Sequence, residues 1–172
     1  SIKFEIQRYE NKEYIQPNSV INYPSKNIKY KRSFEYKHFL NQKSDKSIIK
    51  WNSFSIHSGG RVDFNQPSPS SFSLNRVTGS TPSRIAGQLN SNGKVMLINP
   101  NGVVITPDGV VNTGSFTAST LNIKNEDFLN EKFKFNGNGN SKGVKNGGKI
   151  TIKGGGHAAL LGGYVSNSGV VT

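Results

Sequence analysis

The chain has 172 residues, no cysteine, and 22 Lys and Arg against 10 Asp and Glu, for a net charge of +12. That length fits one domain, and the missing cysteines exclude disulfide scaffolds, cysteine-ligated zinc and thiol chemistry. No apolar run approaches the ~18 residues of a membrane-spanning helix, and Ser1-Ile2-Lys3-Phe4-Glu5 has no signal-peptide core.

Good helix formers are scarce: four Ala, eight Leu, six Glu and one Met, against 21 Asn, 21 Ser, 19 Gly and 7 Pro. Asn, Ser, Gly and Pro make turns, and the periodic apolar residues are mostly strand-favouring Val, Ile, Phe and Tyr. The composition therefore predicts an all-β chain with many corners. It also divides the chain, because no Gly precedes Gly59. Residues 1–50 carry a net +6, as do the 122 residues after them, so the first part is more than twice as dense in net charge.

In chain order, alternation marks strands at Ile2–Ile6 and from Ile28 to Tyr36, with Pro17 and Pro24 between. Ser47-Ile48-Ile49-Lys50-Trp51 leads to Phe54-Ser55-Ile56, a turn at His57-Ser58-Gly59-Gly60, and Val62-Asp63-Phe64. Val95–Ile98 and Val103–Ile105 flank Asn99-Pro100-Asn101-Gly102, which fits a type I turn at every position. Thr106-Pro107-Asp108-Gly109 repeats that turn seven residues on. Three-residue strands between like corners are short for a sandwich, whose strands run ~5–6 residues. They suit the flat sides of a coiled solenoid.

A longer repeat, Asn-x-Gly-x-apolar-Thr, begins at Asn112, Asn146 and Asn167, with a looser member at Asn90. Asn146 and Asn167 are 21 residues apart, about one coil. Asn112 and Asn146 are 34 apart, which predicts an excursion of 13 residues, with Asn125–Asn140 its candidate. Asparagines at equivalent corners can bond from coil to coil, as amide ladders do in cross-β stacks, so Asn112, Asn146 and Asn167 are expected to form one ladder. The competing arrangement is an ordinary sandwich with Asn-Gly hairpins.

Catalytic chemistry is thin. His38, His57 and His157 are isolated, and Asp63, Asp108 and Glu131 are scattered around the lone adjacent pair Glu126-Asp127. Neither a metal site nor an acid–base pair is indicated, and no cofactor is expected. Gly137-Asn138-Gly139 and Gly154-Gly155-Gly156 lack the strand–loop–helix setting of phosphate loops and read as corners. The basic-aromatic run Ile28–His38 could stack bases between lysines, but a strand with one apolar and one basic face gives the same pattern.

From Ile48 onward the chain resembles the N-terminal secretion domain of two-partner secretion exoproteins, the filamentous-haemagglutinin-like adhesins, and within them the high-molecular-weight adhesin branch. The segments that carry the resemblance are Ile49–Ile56, Phe64–Ser68, Leu74–Val77, Val95–Gly102, Gly114–Ile123 and Asn125–Phe128. The resemblance implies an all-β, right-handed parallel β-helix with an N-terminal β cap and extra-helical strands, and no enzymatic activity. It implies secretion-targeting, with the domain recognised in the periplasm by the POTRA domains of an outer-membrane TpsB-type β-barrel transporter. The destination would be the medium or cell surface of a Gram-negative bacterium.

Asn99, Pro100, Asn101 and Gly102 correspond to a family signature needed for secretion, and Asn75 and Arg76 are secondary candidates. Residues 1–45, Lys/Tyr-rich and Gly-free, depart from the family's usual start and are expected to form a divergent cap on coils spanning 46–172. The ending at Val170-Val171-Thr172, without a polar cap, suggests a fragment of a larger exoprotein whose host-surface or glycan ligands lie elsewhere. A basic surface-binding module for glycans or nucleic acid is the alternative function, although no specific nucleic acid partner is expected.

Overall fold

The computed structural model describes residues 5–9, 12–16, 28–33 and 37–172, with side chains from residue 39 onward. Of the elements expected above, Ile2–Phe4, Pro17, Pro24 and Phe34–Tyr36 lie outside the described residues. The chain winds as a β-solenoid of about six turns. From Phe72 onward each turn visits three sheets in a fixed order, and each short strand lies parallel to its equivalent in the next turn.

The first sheet stacks Lys12–Gln16, Lys46–Trp51, Phe72–Val77, Lys94–Ile98, Ser115–Ser119 and Ala158–Leu161, all parallel. The second stacks Ser83–Ile85, Val103–Ile105, Gly143–Asn146 and Tyr164–Asn167. The third runs from Lys37–Gln42 through Arg61–Asn65, Gln88–Ser91, Val110–Thr113 and Lys149–Ile152 to Val170–Val171. At the N-terminal end the pairing turns antiparallel. Glu5–Tyr9 closes the first sheet against Lys12–Gln16, and Ile28–Ser33 closes the third against Lys37–Gln42.

Period-two alternation sends every second side chain into the solenoid. Ile49, Trp51, Val77, Val95, Leu97, Phe116 and Ala118 enter from the first sheet. Ile85, Val103, Ile105 and Val144 enter from the second, and Val62, Phe64, Leu89, Val111 and Ile150 from the third. Trp51 is fully buried with its ring edge-on to Phe54 at 5.2 Å. Coil length sets the period: Val95 pairs with Phe116, 21 residues on, but Phe116 pairs with Ala158, 42 residues on. The extra chain, some 20 residues and not 13, leaves the solenoid between Ser119 and Gly143.

That excursion is a two-stranded ribbon, Asn122–Ile123 with Phe135–Asn136, around a short helix, Asn125–Leu129. Ile123, Phe128 and Leu129 pack on Ile48, Leu74, Met96 and Ile98, the outward side chains of the first sheet. This sheet is thus apolar on both faces, which explains its near-continuous buried runs. The helix ends with Glu131 N–H donating to the Phe128 carbonyl and Lys132 N–H to that of Asp127. That is the Schellman arrangement, in which Gly normally holds the left-handed residue. Here Glu131 holds it, at φ +55°. Replacing Glu131 with Gly should raise stability by about 1 kcal/mol, read as a shift of about 2–4 °C in Tm.

The corner joining the second and third sheets is a column of glycines, Gly60, Gly87, Gly109, Gly148 and Gly169. The carbonyls of Gly60, Gly87, Gly109 and Gly148 accept from Gln88, Val110, Lys149 and Val170 of the next coil. A Cβ on Gly148 would meet the Gly109 carbonyl oxygen at 2.3 Å and that of Thr106 at 2.4 Å. Both obstacles are backbone, so neither can swing aside. Gly148→Ala should cost about 2–3 kcal/mol by forced overpacking in urea unfolding. Gly154→Ala, built into open space, should leave the midpoint within about 0.5 kcal/mol.

Candidate functional site

The tetrapeptide Asn99–Gly102 forms the corner between the first and second sheets, with Gly102 N–H donating to the Asn99 carbonyl at 3.1 Å. Thr106–Gly109 closes in the same way at the next corner, at 2.8 Å. Asn99 is fully buried, and every polar atom of its side chain is used. Its Nδ2 donates to the Thr81 carbonyl and to Ser83 Oγ of the preceding coil, both at 3.0 Å. Its Oδ1 accepts from the Asn101 N–H at 3.0 Å and from Asn101 Nδ2 at 2.9 Å. Asn101 Nδ2 reaches back further, donating to the Gly79 carbonyl at 2.8 Å.

The same corner is tied to the coil that follows. Asn99 N–H donates to the Ser119 carbonyl, and Asn140 Nδ2 donates to the Pro100 carbonyl at 2.8 Å and to that of Thr120 at 3.2 Å. Gly102 sits at φ +123° and its carbonyl accepts from Ser83 N–H. Only Pro100 is exposed, and Asn101 half so. The four residues therefore clamp three successive coils.

Asn75 and Arg76 are neighbours in sequence but face opposite ways. Asn75 points inward, fully buried. Its Oδ1 accepts from Trp51 Nε1 at 2.9 Å, and its Nδ2 donates to Ser73 Oγ and the Met96 carbonyl. It satisfies the one buried indole in the core. Arg76 points outward and grips the excursion, donating to Asn122 Oδ1, Asn125 Oδ1 and the Ile123 carbonyl. Lys46 assists from the next strand over, donating to the Leu129 carbonyl at 2.8 Å.

The expected single ladder divides in two. Asn146 Nδ2 donates to Asn167 Oδ1 at 3.0 Å at the end of the second sheet. Asn112 lies in the third sheet, opposite Thr151 and not Asn146. Its Nδ2 donates to Asn90 Oδ1, and Asn90 Nδ2 in turn to Asp63 Oδ1. The mismatch has a physical cause. Asn followed two residues later by Gly serves both corners, because each needs a side-chain amide and a close backbone approach. Gly114 faces the Gly93 carbonyl just as Gly148 faces that of Gly109.

Two residues were given no role by the sequence reading. Gln42 and Gln66 occupy the same corner one coil apart, their Nε2 groups donating past the first-sheet strand that follows to the Phe72 and Lys94 carbonyls of the strand stacked on it. The signal was present: Leu40-Asn41-Gln42 recurs as Phe64-Asn65-Gln66, and Asn65 Nδ2 donates to Asn41 Oδ1.

Near these residues a shallow groove on the third sheet is lined by Arg61, Asp63, Asn90, Asn112 and Lys153, among others. Arg61 Nε donates to both Asp63 carboxylate oxygens at 2.9 Å. That hydrogen bond, and then the carboxylate charge, hold the guanidinium above its ordinary pKa. Among the described residues no group of three or more His, Asp or Glu could hold a metal ion.

A family model described as the TPS secretion domain matches residues 27–172. The chain belongs to the TPS secretion-domain family. The match begins before the expected boundary at residue 45, as does the parallel pairing of Lys37–Gln42 with Arg61–Asn65. TPS domains belong to two-partner secretion exoproteins, which Gram-negative bacteria secrete; the family is one of secretion domains and not of enzymes, and it implies a TpsB transporter partner.

The chain is similar to the HMW1 secretion domain from Haemophilus influenzae, whose crystal structure superposes with a TM-score of 0.68 at 31% identity, over 99% of this chain and 40% of that one. It is also similar to a heme/hemopexin-binding protein of H. influenzae strain Rd, 40% identical over 114 residues, 66% of this chain and 11% of the relative. A second H. influenzae protein of that name is 42% identical over 85 residues, covering 49% of this chain and 9% of its own length. The chain thus spans about a tenth of the curated relatives it matches.

Within this TPS domain, Asn99→Ala strips partners from Ser83, the Thr81 carbonyl and the Asn101 amide. It should cost about 2–3 kcal/mol, the upper range for stranding buried polar groups, whereas Pro100→Ala should change urea stability by less than about 0.5 kcal/mol.

Proposed function

We propose that this TPS domain targets a larger exoprotein for export and nucleates its β-solenoid. The extended chain is recognised in the periplasm by the POTRA domains of an outer-membrane TpsB-type transporter. Recognition proceeds by strand addition, with main-chain bonds supplying affinity and side-chain pockets selectivity. After translocation the coils stack one on another, and each completed coil makes backward sliding less favourable.

The observation that carries this reading is the match of the TPS secretion-domain model to residues 27–172, supported by coils that each take their strand pairing from the one before, as Val103–Ile105 does from Ser83–Ile85. Asn99–Gly102 supports export by completing the corner on which three coils depend.

A second reading, a basic glycan-binding module, draws on the net charge of +12 and on Arg61 and Lys153 beside the third-sheet groove. It predicts retention on an acidic polysaccharide that falls steeply with salt.

The test co-expresses the exoprotein with its transporter and follows release into the medium. Deleting the transporter should abolish release. Asn99→Ala should reduce it at least tenfold and slow refolding of the isolated domain, while Pro100→Ala should leave release near wild type. Release independent of the transporter would defeat the proposal.

A further inference from the structure

An asparagine followed by glycine is chemically labile, because glycine has no side chain to keep its backbone nitrogen away from the asparagine carboxamide. The chain contains five such steps: Asn92-Gly93, Asn101-Gly102, Asn136-Gly137, Asn138-Gly139 and Asn146-Gly147. Reaction needs a carboxamide free to turn toward the next backbone nitrogen, and a nitrogen free to give up its proton. In the first, second and last of these steps the solenoid removes that freedom. Asn146 is buried, its Nδ2 donates to Asn167 Oδ1, and the Gly147 N–H donates to the Ile105 carbonyl at 2.7 Å. Asn101 Nδ2 donates to the Gly79 carbonyl, and the Gly102 N–H to that of Asn99. Asn92 is exposed but pinned at both atoms, with Oδ1 accepting from the Gln66 N–H at 2.7 Å and Nδ2 donating to the Gln66 carbonyl at 2.8 Å.

Asn138-Gly139 differs on each count. The two residues are the centre of a tight turn in the excursion, closed by Asn140 N–H donating to the Gly137 carbonyl at 2.8 Å. Their φ angles are +48° and +78°, the paired positive values of a type I′ turn, which Asn tolerates better than most residues with a side chain. Both are exposed, and a Cβ built on Gly139 would meet nothing within 4 Å. Among the described residues, neither the Asn138 carboxamide nor the Gly139 N–H has a hydrogen-bond partner. Asn136 is exposed as well, but its Oδ1 accepts from the Asn138 N–H at 2.9 Å, and Gly137 lies against the Leu121 side chain.

We infer that Asn138 is a site of spontaneous covalent modification in the folded domain, converting through a cyclic imide to aspartyl and isoaspartyl forms. The Gly139 backbone nitrogen attacks Asn138 Cγ, and the new C–N bond closes a five-membered ring as the Cγ–Nδ2 bond breaks. The proton released by Gly139 leaves with that side-chain nitrogen as ammonia. Water then adds to one of the two ring carbonyls, and the bond from that carbon to the Gly139 nitrogen breaks. Opening at Cγ gives an ordinary aspartate. Opening at the main-chain carbonyl of Asn138 leaves the backbone running through Cγ, one carbon longer. That longer backbone no longer fits a turn in which Asn140 N–H reaches the Gly137 carbonyl, and Asn140 carries the bonds to the Pro100 and Thr120 carbonyls. The modification thus loosens the tie between the excursion and the Asn99–Gly102 corner, whatever the route by which the domain is exported.

The experiment incubates the folded chain in mildly alkaline buffer at body temperature, beside the same chain unfolded in guanidinium chloride. Conversion at each Asn-Gly step is followed by mass spectrometry of its peptides and by enzymatic methylation of isoaspartyl groups. A clamped step reacts only in the fraction of molecules whose corner has opened. In the folded chain Asn138 should therefore convert at least about tenfold faster than Asn92, Asn101 and Asn146, and ahead of Asn136, whereas in the unfolded chain all five should agree within about threefold. Asn138→Gly, which suits the left-handed turn position, should keep the unfolding midpoint and abolish the main product of the folded chain. In the separated isoaspartyl form, the Asn140 amide hydrogen should exchange at least about tenfold faster than in the unmodified chain. Equal rates at Asn138 and Asn101 in the folded chain, Asn136 leading, or a main product that survives Asn138→Gly overturns the site. Unchanged exchange at Asn140 overturns its link to the corner.

Discussion

A three-residue strand such as Val103–Ile105 has no means of standing alone. It gains two parallel neighbours, Ser83–Ile85 and Gly143–Asn146, and loses its edges only because both are present. The whole solenoid follows from that dependence. Corner geometry must repeat closely enough for each strand to land on the last, and the glycine column enforces it: the carbonyls of Gly60, Gly87, Gly109 and Gly148 accept from the next coil, and a Cβ at Gly87, Gly109, Gly148 or Gly169 would strike backbone oxygen. Apolar burial supplies the bulk of the stabilisation, but the stacked backbone decides where that burial occurs.

The candidate secretion signature acquires its meaning from the same dependence. Asn99 is not displayed to a partner; it is spent on Thr81, Ser83 and Asn101. Asn75 is likewise committed to Trp51. Such residues are intolerant of change because a buried amide left half-satisfied costs more than an apolar replacement of both partners. Invariance at these positions would therefore report on coil assembly as readily as on recognition. Arg76 differs, because its guanidinium works outside the coil and fastens the excursion over an apolar face that would otherwise meet water.

The two ends of the domain and its flank divide the remaining work. Antiparallel strands pair with the first parallel strands of the first and third sheets. In the last coil the Tyr164 ring lies over Gly143, with Lys145 Nζ 5.6 Å away. The excursion sits outside this hierarchy. Its helix is locked by Phe128 and Leu129, while beyond Glu131 Phe133 is exposed, Phe135 packs against the same outer cluster and Asn140 bonds back to Pro100 and Thr120.

Much of this was legible in the residues alone. Turn chemistry at Asn99–Gly102 and Thr106–Gly109, strands of three to five residues, and a 21-residue spacing between Asn146 and Asn167 were enough for the solenoid, because turn preference and strand alternation are local properties. What the sequence could not assign was which corner a given Asn-x-Gly occupies. Asn112 and Asn146 look alike because both corners ask for the same chemistry, and only the register of Val111 on Ile150 separates them. The length of the excursion, the opposite facing of Asn75 and Arg76, and the burial of Asn99 were likewise decided in three dimensions. Each depends on which coil lies above and below, and that is a property of the stack and of no single turn within it.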